Sequence, residues 1–163
     1  MTGKRLEVIT KEDWFMATAM LSAQRSKDPN TQVGACVVSP DEIIVAIGYN
    51  GLPRGCSDDE FPWARQAENK LDTKYPYVVH AEANAILNRN IVSLKGCRLY
   101  NTLFPCNECA KQIIQAGIEE VVYFSDKYHD LPESIASRRM FDASKVKYQQ
   151  YQGKLREIKL VIE

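Results

Sequence analysis

Residues 98–124 read RLYNTLFPCNECAKQIIQAGIEEVVYF, and this stretch sets the architecture. Arg98 to Leu103 reads as a strand. Pro105 suits the first residue of a helix, where its missing N–H costs nothing, and Gly117 suits the stop at the other end. Glu120 to Phe124 then reads as a further strand. Downstream, a helix is expected over Pro132 to Ala143 and a short strand over Val146 to Tyr148, and the alternating Ile158, Leu160 and Ile162 read as a last strand. Upstream, a helix begins near His80 and carries Ala81, Ala83, Ala85, Ile86 and Leu87. Val33 to Val38 and Ile43 to Ile47 are strands joined by a hairpin at Pro40-Asp41. Their continuous apolar character predicts cover on both faces. Thr10, three residues before Asp13, reads as a capping box for a helix from Lys11 to Arg25, which buries some of Trp14, Phe15, Ala17, Met20 and Leu21. No repeat, low-complexity tract or linker interrupts this alternation. The chain therefore reads as one α/β domain over residues 1–163, in three layers.

Tyr49 to Tyr75 breaks the pattern. It holds Gly51, Pro53, Gly55 and Pro62 among charges and aromatics. It is too long for an ordinary connection, so it reads as a functional or interface segment.

Two short motifs carry the chemistry. His80-Ala81-Glu82 stands upstream of Pro105-Cys106-Asn107-Glu108-Cys109. Zinc accepts imidazole nitrogen and thiolate sulfur, and three protein ligands leave a fourth position open, as a catalytic ion requires. Cys106 and Cys109 fall on one face of a first helical turn. His80 and Glu82 lie on opposite flanks of a regular helix, so both reach one metal only if it sits beyond the helix end. Two helix N-termini would then point at the ion and favour its thiolates. Glu82, kept off the metal, is placed to carry protons. Taken singly, a C-x-x-C can be a redox pair or part of a zinc ribbon, and His-x-Glu occurs by chance. In this order, with Pro before the first Cys, they make the signature of zinc-dependent nucleobase deaminases.

Composition bounds the partners. The 163 residues carry zero formal net charge, which argues against a nucleic-acid duplex as partner. No apolar run approaches the roughly 20 residues that span a bilayer, so no membrane partner is expected. The mixed, charged start from Met1 to Lys11 does not read as a secretory leader. Five cysteines then suggest reduced thiols and a cytoplasmic setting, shared or not with the nucleus. Cys36 and Cys97 read as core residues and Cys56 as part of the long loop.

Beyond these motifs the chain resembles the animal-type deoxycytidylate (dCMP) deaminases of the cytidine/deoxycytidylate deaminase superfamily. The likeness lies in residues 21–29 (LSAQRSKDP), 48–53 (GYNGLP), 56–59 (CSDD), 71–77 (LDTKYPY), 80–82 (HAE), 104–110 (FPCNECA) and 125–130 (SDKYHD). It implies a three-layer α/β/α cytidine-deaminase-like sandwich with a central five-stranded mixed sheet. It implies that zinc activates a water for attack at C4 of cytosine, that Glu82 protonates N3, and that dCMP becomes dUMP, the precursor of thymidylate. It also implies a homohexamer, activated by dCTP and inhibited by dTTP at a separate site, with Mg²⁺ accompanying the triphosphate. Under this resemblance the substrate is held by Arg25, Ser26, Lys27, Asn30, Ala81 and Tyr128, with Asn30 on the phosphate or the sugar 3′-hydroxyl. Arg25 and Lys27 read equally as a solvated helix end. Gly48, Tyr49, Asn50 and Gly51 are the expected regulatory turn, and read equally as a plain turn. No histidine lies between Gly48 and Val79, so the second zinc of some phage relatives is not expected. Two alternatives stay open: a superfamily enzyme acting on a free nucleoside, a tRNA base or a riboflavin precursor, and a zinc module without activity.

Overall fold

The computed structural model describes residues 3–154 and 157. The expected strand over Ile158, Leu160 and Ile162 lies outside them. Five strands form one mixed sheet: β1 (Gly34–Val38), β2 (Ile44–Tyr49), β3 (Arg98–Leu103), β4 (Glu120–Ser125) and β5 (Lys147–Gln150), in the order β2-β1-β3-β4-β5. β2, β1 and β3 pair antiparallel, and β3, β4 and β5 pair parallel. The helices are α1 (Lys11–Ala23), α2 (Ala81–Leu87), α3 (Asn107–Gln115) and α4 (Pro132–Ser144). No helix among the described residues is long and apolar enough to cross a membrane.

The layers follow from side-chain alternation along the strands. Leu99 of β3 faces the core shared with α2, α3 and α4, along with Ala35, Val37, Val121 and Phe141. Tyr100, its neighbour, faces α1 with Phe15, Met16, Ala19, Cys36 and Val122. The expected three-layer α/β/α sandwich with a five-stranded mixed sheet is therefore the observed fold. Cys36 and Cys97 are core residues, 0% and 1% exposed. Burial alone pushes the Cys36 thiol up to about 12.

Several boundaries differ from expectation for physical reasons. Thr10 caps α1, its hydroxyl accepting from the Asp13 N–H at 3.0 Å, but α1 buries Phe15, Met16, Ala19 and Ala23 while Trp14 and Leu21 stay exposed. β1 is buried throughout, as its composition suggests. β2 is the sheet edge, so Ile47 on the α1 side remains 52% exposed. Pro105 is not the first residue of α3: Cys106 is the cap, with extended backbone, and the helix starts at Asn107. Gly117 does end α3, at φ 79°.

Candidate active site

The parallel half of the sheet positions the site. β3 delivers the chain through Phe104 and Pro105 into the cap of α3, and α2 lies beside α3 on the same face. His80 caps α2 and Cys106 caps α3, both with extended backbone. Cys109 lies in the first turn of α3. The ligand atoms of His80, Cys106 and Cys109 all fall within 4.8 Å of one another. His80 Nδ1 stands 3.4 Å from the Sγ atoms of both Cys106 and Cys109. A tetrahedral zinc with nitrogen and sulfur ligands separates them by roughly 3.5 Å, so the donor set fits that ion in type and spacing. The two capping positions solve the problem posed by the His-x-Glu spacing: the meeting point lies beyond both helix ends, where free N–H groups favour anionic ligands.

The three groups perturb one another strongly. The Cys106 thiol is held down to about 4, chiefly by the hydrogen bond from Cys109, with His80 adding to it against the effect of burial. His80 is pushed up to about 9, chiefly by its bond to Cys106. Cys109, sharing its proton with Cys106 and buried, is pushed well up. A cation bound here would displace the shared protons, since zinc takes thiolate sulfur and neutral imidazole.

Glu82, in the first turn of α2, is 4% exposed. Burial, the largest effect on it, raises its carboxyl above the ordinary range, against the charge of His80. One carboxylate oxygen, Oε1, accepts from Asn101 Nδ2 at 2.8 Å.

His80, Ala81, Glu82 and Cys106 open into a cavity of about 730 Å³. Asp28, Thr31, Asn50, Lys74 and Tyr128 line it as well. Asp28 is 2% exposed and organises its own loop: Oδ1 accepts from the Asn30 and Thr31 N–H groups at 2.8 and 3.2 Å. Its Oδ2 pairs with the Lys74 ammonium and accepts from Asn50 Nδ2 at 3.3 Å. Burial would raise the Asp28 carboxyl, but these donors, Lys74 first, bring it below the ordinary value. The Tyr128 carbonyl accepts from the N–H of Leu131, the cap of α4, at 3.0 Å. Arg138 lies 4.2 Å from the Phe104 ring centroid, pairs with Asp126 and donates to the His129 carbonyl at 3.2 Å, fixing the 125–130 loop.

The other expected residues divide. Ala81 and Tyr128 line the cavity; Arg25, Ser26, Lys27 and Asn30 do not. Arg25 is exposed, Lys27 is exposed and paired with Asp58, and the Ser26 hydroxyl accepts from the Asp28 N–H at 3.3 Å. Asn30 Nδ2 reaches the Trp63 carbonyl at 3.4 Å. The cations that do line the cavity are Arg65, Lys70 and Lys74, from the long segment after β2. A run of turns gave no periodicity from which to single them out, although that segment's length marked it. In the 48–51 turn, Gly48 is buried under α2, where a Cβ would lie 2.3 Å from the Ala81 carbonyl oxygen. Tyr49 is partly exposed. Asn50 is not a surface turn residue: it is 6% exposed and accepts from the Val33 N–H at 2.8 Å. Gly51 pairs with Val79, the residue before His80.

The chain matches the family described as the cytidine and deoxycytidylate deaminase zinc-binding region over residues 9–125. It is 59% identical to the deoxycytidylate deaminase of Homo sapiens over 155 residues, covering 95% of this chain and 87% of that one. It is 61% identical over 153 residues to the probable deoxycytidylate deaminase of Drosophila melanogaster, covering 91% and 75%. Among solved structures, the dCMP deaminase of the cyanophage S-TIM5 in complex with dCMP and dUMP superposes with a TM-score of 0.68 at 29% identity, covering 86% of this chain and 96% of that chain. A family match over more than half of the chain, and relatives 59% and 61% identical over most of it, show that the chain belongs to the cytidine and deoxycytidylate deaminase family.

Proposed function

We propose that this enzyme hydrolyses dCMP to dUMP and ammonia, with one zinc ion per chain held by His80, Cys106 and Cys109. The observation that carries the reading is the buried Glu82 carboxylate beside that three-ligand cluster, at the floor of a cavity lined by cations. The animal deoxycytidylate deaminases that share most of the chain's length support the choice of substrate.

Zinc, when bound, supplies Lewis acidity that brings the pKa of water near neutrality. The protein supplies the rest. Glu82 takes a proton from the attacking water and gives it to N3 of the cytosine as the C4–O bond forms. A second proton passes through Glu82 to the amino group, the C4–N bond breaks, and ammonia leaves. The burial of Glu82 would shield both transfers from bulk water. Ala81 packs at the base, and Tyr128 closes the cavity. Arg65 and Lys70 are placed for the 5′-phosphate, while Arg25, Ser26, Lys27 and Asn30 belong to the loop that Asp28 organises.

The wider reading is an enzyme of residues 1–163 working as one unit in the cytoplasm and supplying dUMP for thymidylate synthesis. The exposed apolar side chains Trp14, Leu21 and Ile47 support assembly, as a homohexamer. Activation by dCTP and inhibition by dTTP, with Mg²⁺, would act through residues 48–51. The contacts of Gly48 with Ala81 and of Gly51 with Val79 support this, because they link the turn to the helix that bears His80 and Glu82.

The test is ultraviolet absorbance of cytosine-to-uracil conversion with dCMP, CMP, deoxycytidine and dCTP. We expect dCMP to be turned over fastest. Turnover of deoxycytidine in its place would remove the monophosphate reading. Adding dCTP and then dTTP to the dCMP reaction should raise and lower the rate, and a flat response to both would remove the regulatory reading.

A further inference from the structure

Asn101 is the least expected residue in β3. Leu99, Asn101 and Leu103 share the sheet face under α2 and α3, and Leu99 is pure core. Asn101 is 0% exposed. Its amide nitrogen donates to Glu82 Oε1 at 2.8 Å and to the Leu103 carbonyl at 2.6 Å. Both partners are acceptors, so the amide orientation is settled: the reverse would set an oxygen against two oxygens. Its own Oδ1 is buried and has no hydrogen-bond partner among the described residues. A strand interior that elsewhere takes apolar residues thus carries a polar group at a stability cost, and the donors it brings are spent on Glu82 and on the strand end.

We infer that Asn101 is a positioning residue for the proton carrier, holding one oxygen of Glu82 so that the other is committed to proton exchange. This rests on the reading of Glu82 given above. The physical need is clear. Glu82 sits in the first turn of a seven-residue helix, with three rotatable side-chain bonds and a metal cluster beside it. Left free, its carboxylate can turn onto the metal or away from the ring, and either removes the shuttle. The Asn101 amide arrives from the sheet, the most rigid layer, and is itself pinned at the Leu103 carbonyl. It therefore fixes the carboxylate relative to β3, which also leads the chain into the cap of α3 and its two cysteines. The amide engages Oε1 and so sets the rotation of the carboxylate.

The experiment is kinetic, on zinc-loaded protein with dCMP. Asn101→Val removes the donors, keeps a similar volume and suits a strand. We expect kcat to fall about 10- to 100-fold, the scale of one hydrogen bond to a charged group, with KM and zinc content within about twofold. In a Glu82→Ala background the same substitution should cause no further loss. Unchanged kcat in Asn101→Val overturns the inference. So does a loss that recurs in the Glu82→Ala background, or loss of zinc, since either assigns Asn101 to packing at the strand end. Near-normal turnover by Glu82→Ala alone strikes the reading of Glu82 first, and this inference with it. Where Asn101→Val fails to fold, Asn101→Ser is read the same way. An independent measurement needs no change at Asn101: its side-chain amide resonance in ¹⁵N spectra should move in Glu82→Ala, and an unmoved resonance overturns the contact.

Discussion

Glu82 and Asp28 are both buried carboxylates in one cavity, and their surroundings give them opposite fates. Glu82 is so fully desolvated that its carboxyl rises despite the charge of His80 and its own hydrogen bonds. Asp28 has Lys74 and two backbone N–H groups, so its carboxyl falls despite burial. Glu82→Ala should keep its zinc, measured by metal analysis, and lose turnover by about 10²–10⁴-fold. Asp28→Ala should leave the Lys74 ammonium buried without its partner and cost about 3–5 kcal/mol, read from denaturant unfolding. The pH dependence has a definite sign. A carboxyl lowered on folding stabilises the protein above its unfolded pKa, and that contribution is lost as pH falls through the folded value. Melting temperature should therefore drop more steeply on acidification below about pH 4 in the parent chain than in an Asp28→Asn, Lys74→Met double variant. At this scale the convergence of His80, Cys106 and Cys109 with Glu82 beside them was legible, because ligand type and short spacing encode it locally. Asn101, Arg65 and Lys74 were not, because each meets its site only through sheet pairing or loop closure far along the chain.

Helix starts do most of the positioning at the level of elements. α2 and α3 place His80 and Cys106 of the candidate metal site in their caps, and the absence of a side chain at Gly48 lets α2 pack close. Gly48→Ala would put its Cβ 2.3 Å from the Ala81 carbonyl oxygen and 2.5 Å from the Ala85 nitrogen. Backbone has to move, so α2 tilts and His80 with it. We expect weaker zinc retention in a chelator competition, with an intact fold by circular dichroism. Thr10→Ala, remote from the site, should cost about 1 kcal/mol through the lost cap of α1 and leave kcat unchanged. Every helix and strand expected within the described residues is present, because hydrophobic period, Gly117 and Pro132 mark them. What the sequence hid was context. The edge position of β2 leaves Ile47 exposed despite an apolar run, and Cys106 takes the cap that Pro105 was expected to lead into.

For the whole molecule, α1 covers one sheet face together with Tyr151, while α2, α3 and α4 crowd the other, and the candidate site sits where the crowded face meets the strand ends. The long segment after β2 folds over that region and turns a strand-end crevice into a cavity with cations in its wall. If the proposed homohexamer is right, light scattering finds an assembly near six chains rather than one, with Ile47, Trp14 and Leu21 exposed and available for contacts. The central claim is that one zinc ion at His80, Cys106 and Cys109 drives hydrolysis of dCMP. It is tested most directly by stripping the protein with a chelator, titrating zinc back and following dCMP conversion by absorbance. We predict no turnover in the stripped protein and full recovery at one zinc per chain. Turnover that survives complete zinc removal would contradict the account.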